Sequence, residues 1–260
     1  MLKFMASNCL SANKNKTGFM MIRNGRAPPT SIGVSVGGEY IRELPHHKIL
    51  GITVNNTLTW DDHVYGKGGV LSSVNKRIGA LKRLSYSIPS EYLARISNSI
   101  VTSKLCYGLE IYGSVCLSNE EPKTRIQSDL QIALNKAMRI ALKVRVVDRV
   151  PIRELCKRTG AQTLNQMCAE DQLRLIWSTL QDPQAPLRSL FDTESSHVEK
   201  VLRSKSRGDI RQSARTSMGQ RNVPSTTIGL WNKCPASLKS QTKKSATKRE
   251  IRNFSITLPM

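Results

Sequence analysis

Acidic residues are scarce against basic ones in this sequence: 19 Asp and Glu stand against 40 Lys and Arg in 260 residues, giving a formal net charge of +21 and a pI near 10.1. The imbalance exceeds what solubility requires. It points to a polyanionic partner, most simply nucleic acid, whose phosphates exchange condensed counterions for Lys and Arg. A basic ribosome-associated or membrane-surface protein is the alternative reading of the same charge. Long apolar runs are missing as well. Nothing approaches the roughly 20 apolar residues that span a bilayer, and the N-terminal MLKFMASNCL is too short and polar-interrupted for a secretory signal. No membrane is expected as a partner, and the chain is read as intracellular, in nucleus or cytoplasm. The six cysteines, at 9, 106, 116, 156, 168 and 234, contain no CxxC and no close Cys/His pairing. That argues against a zinc finger or knuckle and for reduced, ordinary thiols. His46, His47 and His63 have no carboxylate or thiolate at matching spacing, so turn and cap roles suit them better than a metal.

Catalytic signatures are equally sparse. Gly37-Gly38 and Gly66-Lys67-Gly68-Gly69 fit neither the Walker nor the dinucleotide-binding spacing, and there is no HExxH. Asp61-Asp62 is the tempting pair for divalent cations. Such a pair needs a tight turn between buried strands and a further Asp beside it. Here it follows Trp60 and precedes a helical pattern, and Thr59 with Asp62 three residues on reads as a helix capping box. Neither a metal site nor a small-molecule substrate is expected.

What is present is organised by a change of period. Short strands are predicted at Gly18 to Asn24, Ser31 to Val36, Glu39 to Leu44 and Lys48 to Asn55, with a Gly37-Gly38 turn between the second and third. Residues 2 to 12 have helical spacing without an N-cap, which hints at a helix begun upstream. After His63 the period lengthens to about 3.5 residues. Val70, Val74, Ile78, Leu81 and Leu84 form an apolar stripe, with Lys76, Arg77, Lys82 and Arg83 mostly outside it. Further helices are predicted from Pro89 to near Gly108, from about Lys123 to Val144, from Pro151 to a stop near Gly160, and from Thr163 to Leu180. Beyond Gln181 the pattern loosens through Asp182-Pro183-Gln184-Ala185-Pro186, with one short helix expected near His197 to Leu202. Between Arg203 and Arg252 only Asp209 and Glu250 are acidic. This tail is expected to be partly disordered, an electrostatic clamp for nucleic acid in which Leu230, Trp231 and Leu238 dock a short segment. The fold class is therefore α+β: a small antiparallel β segment over 1–65, a mainly helical bundle over 66–181, and a basic, partly irregular C-terminal region over 182–260.

Four segments in order carry a family resemblance. Asn13-Lys14-Asn15-Lys16-Thr17 is followed by a strand pattern. Lys48 to Val64 (KILGITVNNTLTWDDHV) carries Leu50-Gly51 and then Trp60 and His63. Arg83 to Gly113 reads RLSYSIPSEYLARISNSIVTSKLCYGLEIYG. Last comes Leu230-Trp231-Asn232-Lys233-Cys234-Pro235, with Leu238 and later Phe254. Together these resemble the C-terminal part (palm edge, thumb and C-terminal region) of reverse transcriptases of non-LTR (LINE, jockey-like) retrotransposons, with Tyr112 where Trp is common and Cys234 where Leu is usual. The resemblance implies roles residue by residue. Lys16 would be an accessory to leaving-group neutralisation; Leu50 and Gly51 would lie in the strand that grips the primer; Trp60 and His63 would fix the palm-to-thumb junction. Lys76, Arg77, Lys82 and Arg83 would line the thumb groove along the template–primer backbone. It also implies that the fingers, most of the palm and the catalytic Asp residues of such an enzyme precede the matched segments. The expectation is then a polymerase fragment, inactive alone, retaining template–primer or RNA binding. Mg is expected only for an intact parent enzyme, and no cofactor for this chain. A stand-alone nucleic-acid-binding protein derived from such an element, or a remnant without function, are the alternatives.

Overall fold

The computed structural model describes residues 4, 7–9, 13, 17–22, 33–36, 38–117, 124–191, 210 and 223–258. It is a mixed α+β structure, and it divides into two compact units, Met1–Ser72 and Ser73–Met260.

The first unit is built from two hairpins. Strands β1 (Gly33–Val36) and β2 (Glu39–Arg42) pair antiparallel, Gly33 facing Arg42 and Val36 facing Glu39. Strands β3 (His46–Ile49) and β4 (Ile52–Asn55) do the same, His46 facing Asn55 and Ile49 facing Ile52. The continuous strand expected over Lys48 to Asn55 is thus broken in its middle. Leu50 (φ 48°) and Gly51 (φ 87°) both take the left-handed conformation, making a two-residue turn whose twist matches that of the strands it joins. Gly51 adopts that backbone freely; Leu50 does so against its Cβ. The strand expected from Gly18 to Asn24 is reduced, among the described residues, to a single parallel bridge between Phe19 and Glu43. Of the helix expected over 2–12, Phe4 and Ser7 are helical and most of the rest lies outside the described residues.

Helix α1 (Asp61–Tyr65) follows β4, and Asn55 joins the two. Its side chain donates to Thr59 Oγ1 (2.8 Å) and Asp62 Oδ2 (2.9 Å) while its Oδ1 accepts from the Thr59 N–H (2.8 Å). This replaces the expected Thr59–Asp62 capping box, because Trp60 occupies the N-cap and makes no side-chain cap bond. Buried His63 accepts the Thr53 N–H on Nδ1 (3.3 Å), and its ring meets Trp60 edge-on at 6.4 Å.

The second unit is helical. Helix α2 (Val70–Leu84) buries Val70, Val74, Ile78 and Leu81. Helix α3 (Ser90–Ser97) runs through a π turn (Asn98–Thr102) into α4 (Ser103–Cys106). Left-handed Gly108 (φ 74°) then starts α5 (Leu109–Tyr112). Helices α6 (Arg125–Ala141) and α7 (Ile152–Thr159) follow, and α8 (Leu164–Gln181) lies at the centre. Helix α8 starts at a true capping box, Thr163 accepting from the Gln166 N–H and Gln166 from the Thr163 N–H. Its buried positions include Gln166 through Glu170 without a gap, so neighbours cover it on nearly every side. The buried Glu170 carboxylate is paired with Arg174 and accepts from Gln162 (2.8 Å), which offsets its desolvation.

In the C-terminal region Leu230, Trp231 and Leu238 are buried, as the docking of a segment requires, and the docked segment is more helical than the sequence pattern suggests. Residues 223–258 form α9 (Val223–Lys233), α10 (Ala236–Lys239) and α11 (Lys244–Thr257), and α9 and α11 pack on α8. Trp231, Leu238 and Ile251 join Leu173, Ile176 and Trp177 in one apolar cluster. The short helix expected near His197 to Leu202 lies outside the described residues.

Candidate nucleic-acid interface

The residues that the sequence singles out fall in both units. Lys16 lies outside the described residues; nearby, Thr17 Oγ1 donates to the Asn13 carbonyl (2.9 Å). Leu50 and Gly51 form the tip of the β3–β4 hairpin rather than the interior of a strand, and Leu50 is 87% exposed. An exposed Leu held at positive φ is unfavourable both as apolar surface and as backbone, a combination that local stability alone does not favour. Buried His63 fastens α1 to β4 through its bond to the Thr53 N–H, and half-buried Trp60 at the helix start meets the His63 ring edge-on.

Helical geometry separates the four cations of α2. At about 100° per residue, Lys76 and Arg83 lie nearly in line on the side opposite the Val74 stripe, while Arg77 and Lys82 flank that stripe on opposite sides. Arg77 is committed to the fold. Its guanidinium donates to the Ile100 carbonyl (2.6 Å), inside the π turn where the ordinary helical ladder is interrupted. Lys76, Lys82 and Arg83 are exposed and have no side-chain partner among the described residues.

The sequence reading missed two exposed tyrosines that follow them in the chain. Tyr86 (80% exposed) lies in the turn that closes α2, where the Ser85 and Ile88 N–H groups bond to the Leu81 and Leu84 carbonyls at 3.0 Å. Tyr92 (52% exposed) stands in the first turn of α3, with exposed Arg95 one helical turn on. Exposed phenol rings interleaved with unpaired cations suit unstacked bases and their phosphates together. The signal that could have found them is the spacing of Lys82, Arg83, Tyr86 and Tyr92 around the helix-breaking Pro89. On the next element Lys104 Nζ sits 5.5 Å from the ring centre of exposed Tyr107.

The rest of the family-like segments are structural. Tyr112 is fully buried and donates its hydroxyl to the Leu105 carbonyl. At Gly113 a Cβ would come within 2.9 Å of Cys168 Sγ, so α8 approaches only a glycine there. Asn232 exchanges hydrogen bonds with the backbone of Ile210, accepting its N–H (2.9 Å) and donating to its carbonyl (2.7 Å), while Trp231 and Leu238 are buried. Trp177 Nε1 donates to the Gln241 carbonyl (3.0 Å), holding the chain between α10 and α11 against α8.

No family model, curated protein or solved structure matches this chain.

An open cavity of about 390 Å³ between α8 and α11 is lined by Cys106, Glu110, Asp171, Arg174, Lys244 and Lys248, among others. Burial pushes the Cys106 thiol up to about 12, with Asp171 and Glu170 adding to the shift, and burial lifts Cys234 to about 12 as well. Neither is a thiolate at neutral pH. Burial also raises Asp171 to about 6, against the opposing charge of Arg174. Among the described residues no group of three or more His, Cys, Asp or Glu side chains is arranged to hold a metal, and no helix is long and apolar enough to cross a membrane.

Proposed function

We propose that the chain binds nucleic acid as the C-terminal part of a non-LTR retrotransposon RNA-directed DNA polymerase, its first unit corresponding to the palm edge and its helical unit to the thumb and C-terminal region. The observation that carries the reading is that Lys76, Lys82 and Arg83 on α2 are exposed and have no side-chain partner among the described residues, and that the exposed rings of Tyr86 and Tyr92 follow them in the chain. Phosphates meet the cations and bases stack on the rings, which is chemistry for RNA or for the single-stranded part of a template–primer. The exposed Leu50 tip offers a further apolar contact for a primer end. The chain by itself supplies no nucleotidyl transfer on this reading. Its Asp61-Asp62 pair belongs to α1, and Asp62 is bonded to Asn55 rather than facing a second strand.

Filter binding of the full chain to a labelled RNA and to an RNA/DNA template–primer over a range of salt tests this reading. Affinity should fall steeply with salt, and Lys76→Gln/Lys82→Gln/Arg83→Gln should lower the slope of log K against log salt by about 0.7 per lost single-strand phosphate contact. Tyr86→Ala/Tyr92→Ala should weaken single-strand binding by roughly 1–3 kcal/mol per stacked base with the slope unchanged. Absence of binding at low salt overturns the reading. Primer extension by the pure protein with Mg or Mn would overturn the loss of catalysis.

A further inference from the structure

We propose that the junction of α6 and α7 is a second contact, one that takes the backbone of double-stranded nucleic acid, with Val146 and Val147 laid against the sugars of the groove. The proposal rests on the nucleic-acid reading above and adds a distinct surface to it.

The junction is a rigid turn made from cations. Helix α6 ends with the Val144 N–H on the Arg139 carbonyl (3.0 Å) and the Lys143 N–H on the Ile140 carbonyl (3.1 Å), the paired bonds of a left-handed helix stop. Lys143 (φ 55°) fills the position that glycine usually takes there. A 3-10 turn (Val146–Asp148) follows, closed by Asp148 Oδ2 accepting the Arg145 N–H (2.7 Å) and by the Arg149 N–H on the Val146 carbonyl (3.2 Å). Arg149 (φ 47°) is the second cation held left-handed, and Pro151 then starts α7. Non-glycine residues persist in this conformation where the surrounding structure fixes them, and such positions cluster at binding surfaces.

The turn presents an apolar tip in a basic collar. Val146 is 76% exposed and Val147 73%, although both are β-branched residues that burial would favour. Between Lys143 and Arg158 stand six cations, Lys143, Arg145, Arg149, Arg153, Lys157 and Arg158, all exposed, against Asp148 and Glu154. Asp148 is already bonded to Arg145, its carboxylate lying 3.6 Å from the guanidinium. Arg153 and Lys157 share one face of α7 at a spacing of four.

The chemistry of the collar selects the partner. Four of the six cations are Arg, whose planar fork suits phosphate oxygens. No aromatic residue stands between Leu142 and Gly160, so there is no ring on which unpaired bases could stack, in contrast to Tyr86 and Tyr92. Duplex backbones offer closely repeated phosphates beside apolar sugar edges, which matches both parts of the turn. An anionic lipid surface would share the charge, but interfacial loops and helices anchor through Trp, Phe or Leu, and a pair of valines buries little.

Fluorescence anisotropy of the full chain with a labelled duplex and with a single strand of the same sequence tests the proposal. Three variants are compared with the parent: Arg149→Asn/Arg153→Gln/Lys157→Gln, Val146→Ser/Val147→Ser, and the α2 triple Lys76→Gln/Lys82→Gln/Arg83→Gln. Asn at 149 tolerates the left-handed backbone, and the other positions are exposed, so circular dichroism should be unchanged. The first variant should weaken duplex binding at least about tenfold near physiological salt and reduce the salt slope by about 0.9 per lost phosphate contact, with a much smaller effect on the single strand. The valine variant should weaken duplex binding without altering the slope. Unchanged duplex affinity in both, with a loss in the α2 triple, overturns this proposal and leaves the general reading standing. A parent chain that binds neither probe at low salt overturns both. Unchanged duplex affinity together with valine-dependent sedimentation on phosphatidylserine vesicles overturns it in favour of a lipid surface.

Discussion

Asp171 shows how one side chain sets a pH dependence for the helical unit. Its carboxyl is lifted to about 6 by burial and by Glu110 and Glu170, and is only partly relieved by Arg174, which approaches to 3.8 Å. A carboxyl raised in the folded state keeps a proton that the unfolded chain has already released. Its contribution to stability is therefore most favourable below its unfolded pKa, and it falls as pH rises towards 6. The shift corresponds to at most roughly 3 kcal/mol, and water reaching the partly exposed carboxylate reduces it. Asp171→Asn removes the titration. Urea unfolding should find the variant about 1–2 kcal/mol more stable than the parent at pH 7.5, with the difference shrinking towards pH 4.5. An equal difference at both pH values would mean that the substitution acts through packing instead. Arg77 teaches a related lesson about reading residues singly. As a letter it belongs with Lys76, Lys82 and Arg83, yet its bond to Ile100 makes it part of the fold and the other three available to a ligand.

At the scale of elements, the β3–β4 hairpin has a turn of the right shape with one residue that resists it. Leu50→Asn supplies a side chain that accepts positive φ, so the hairpin should gain roughly 0.5–1.5 kcal/mol. On the proposed function the tip would in the same step lose the apolar contact that it offers a primer end. Thermal unfolding should move up, while affinity for a primer end, measured by anisotropy, should move down; a lower melting temperature would refute the strain at Leu50. The same residue explains why the turn was not legible. Leu-Gly inside an apolar β-branched run has the pattern of an uninterrupted strand, whereas Gly37-Gly38 between β1 and β2 announces its turn. The helices of the bundle were legible where large apolar residues kept the period, as in Val70, Val74, Ile78 and Leu81. Their stops were legible at Gly108 and Gly160, both left-handed. Helices α9 and α11 were not, because Thr227, Thr247 and Ser255 stand at fully buried positions and look like solvent-facing residues in the sequence. The candidate site divides in the same way. The cations of α2 could be read from charge and period, while the collar at Lys143 and Arg149 could not, since neither residue type signals a left-handed turn.

Taken as a whole, the molecule carries an excess of 21 positive charges with few acids to answer them. Self-repulsion on this scale works against any compact state, and dissolved salt screens it over a Debye length of roughly 10 Å at 0.1 M. The melting temperature should therefore rise by a few degrees between low and moderate salt, as differential scanning fluorimetry would record, the opposite of what a fold held by surface ion pairs would do. On the proposed function the same screening would weaken binding to phosphates, so the protein should gain stability under the conditions in which it would release a nucleic acid. Within the helical unit the centre of this balance is α8, against which α6, α9 and α11 all pack. The two-way bond between Asn232 and Ile210 bears on that assembly. One side-chain amide imitates a neighbouring strand and closes both polar groups of the Ile210 peptide to water. Deuterium can then replace that N–H only when Asn232 lets go, so the exchange rate at a residue 22 positions earlier in the chain becomes a clock for the opening of α9.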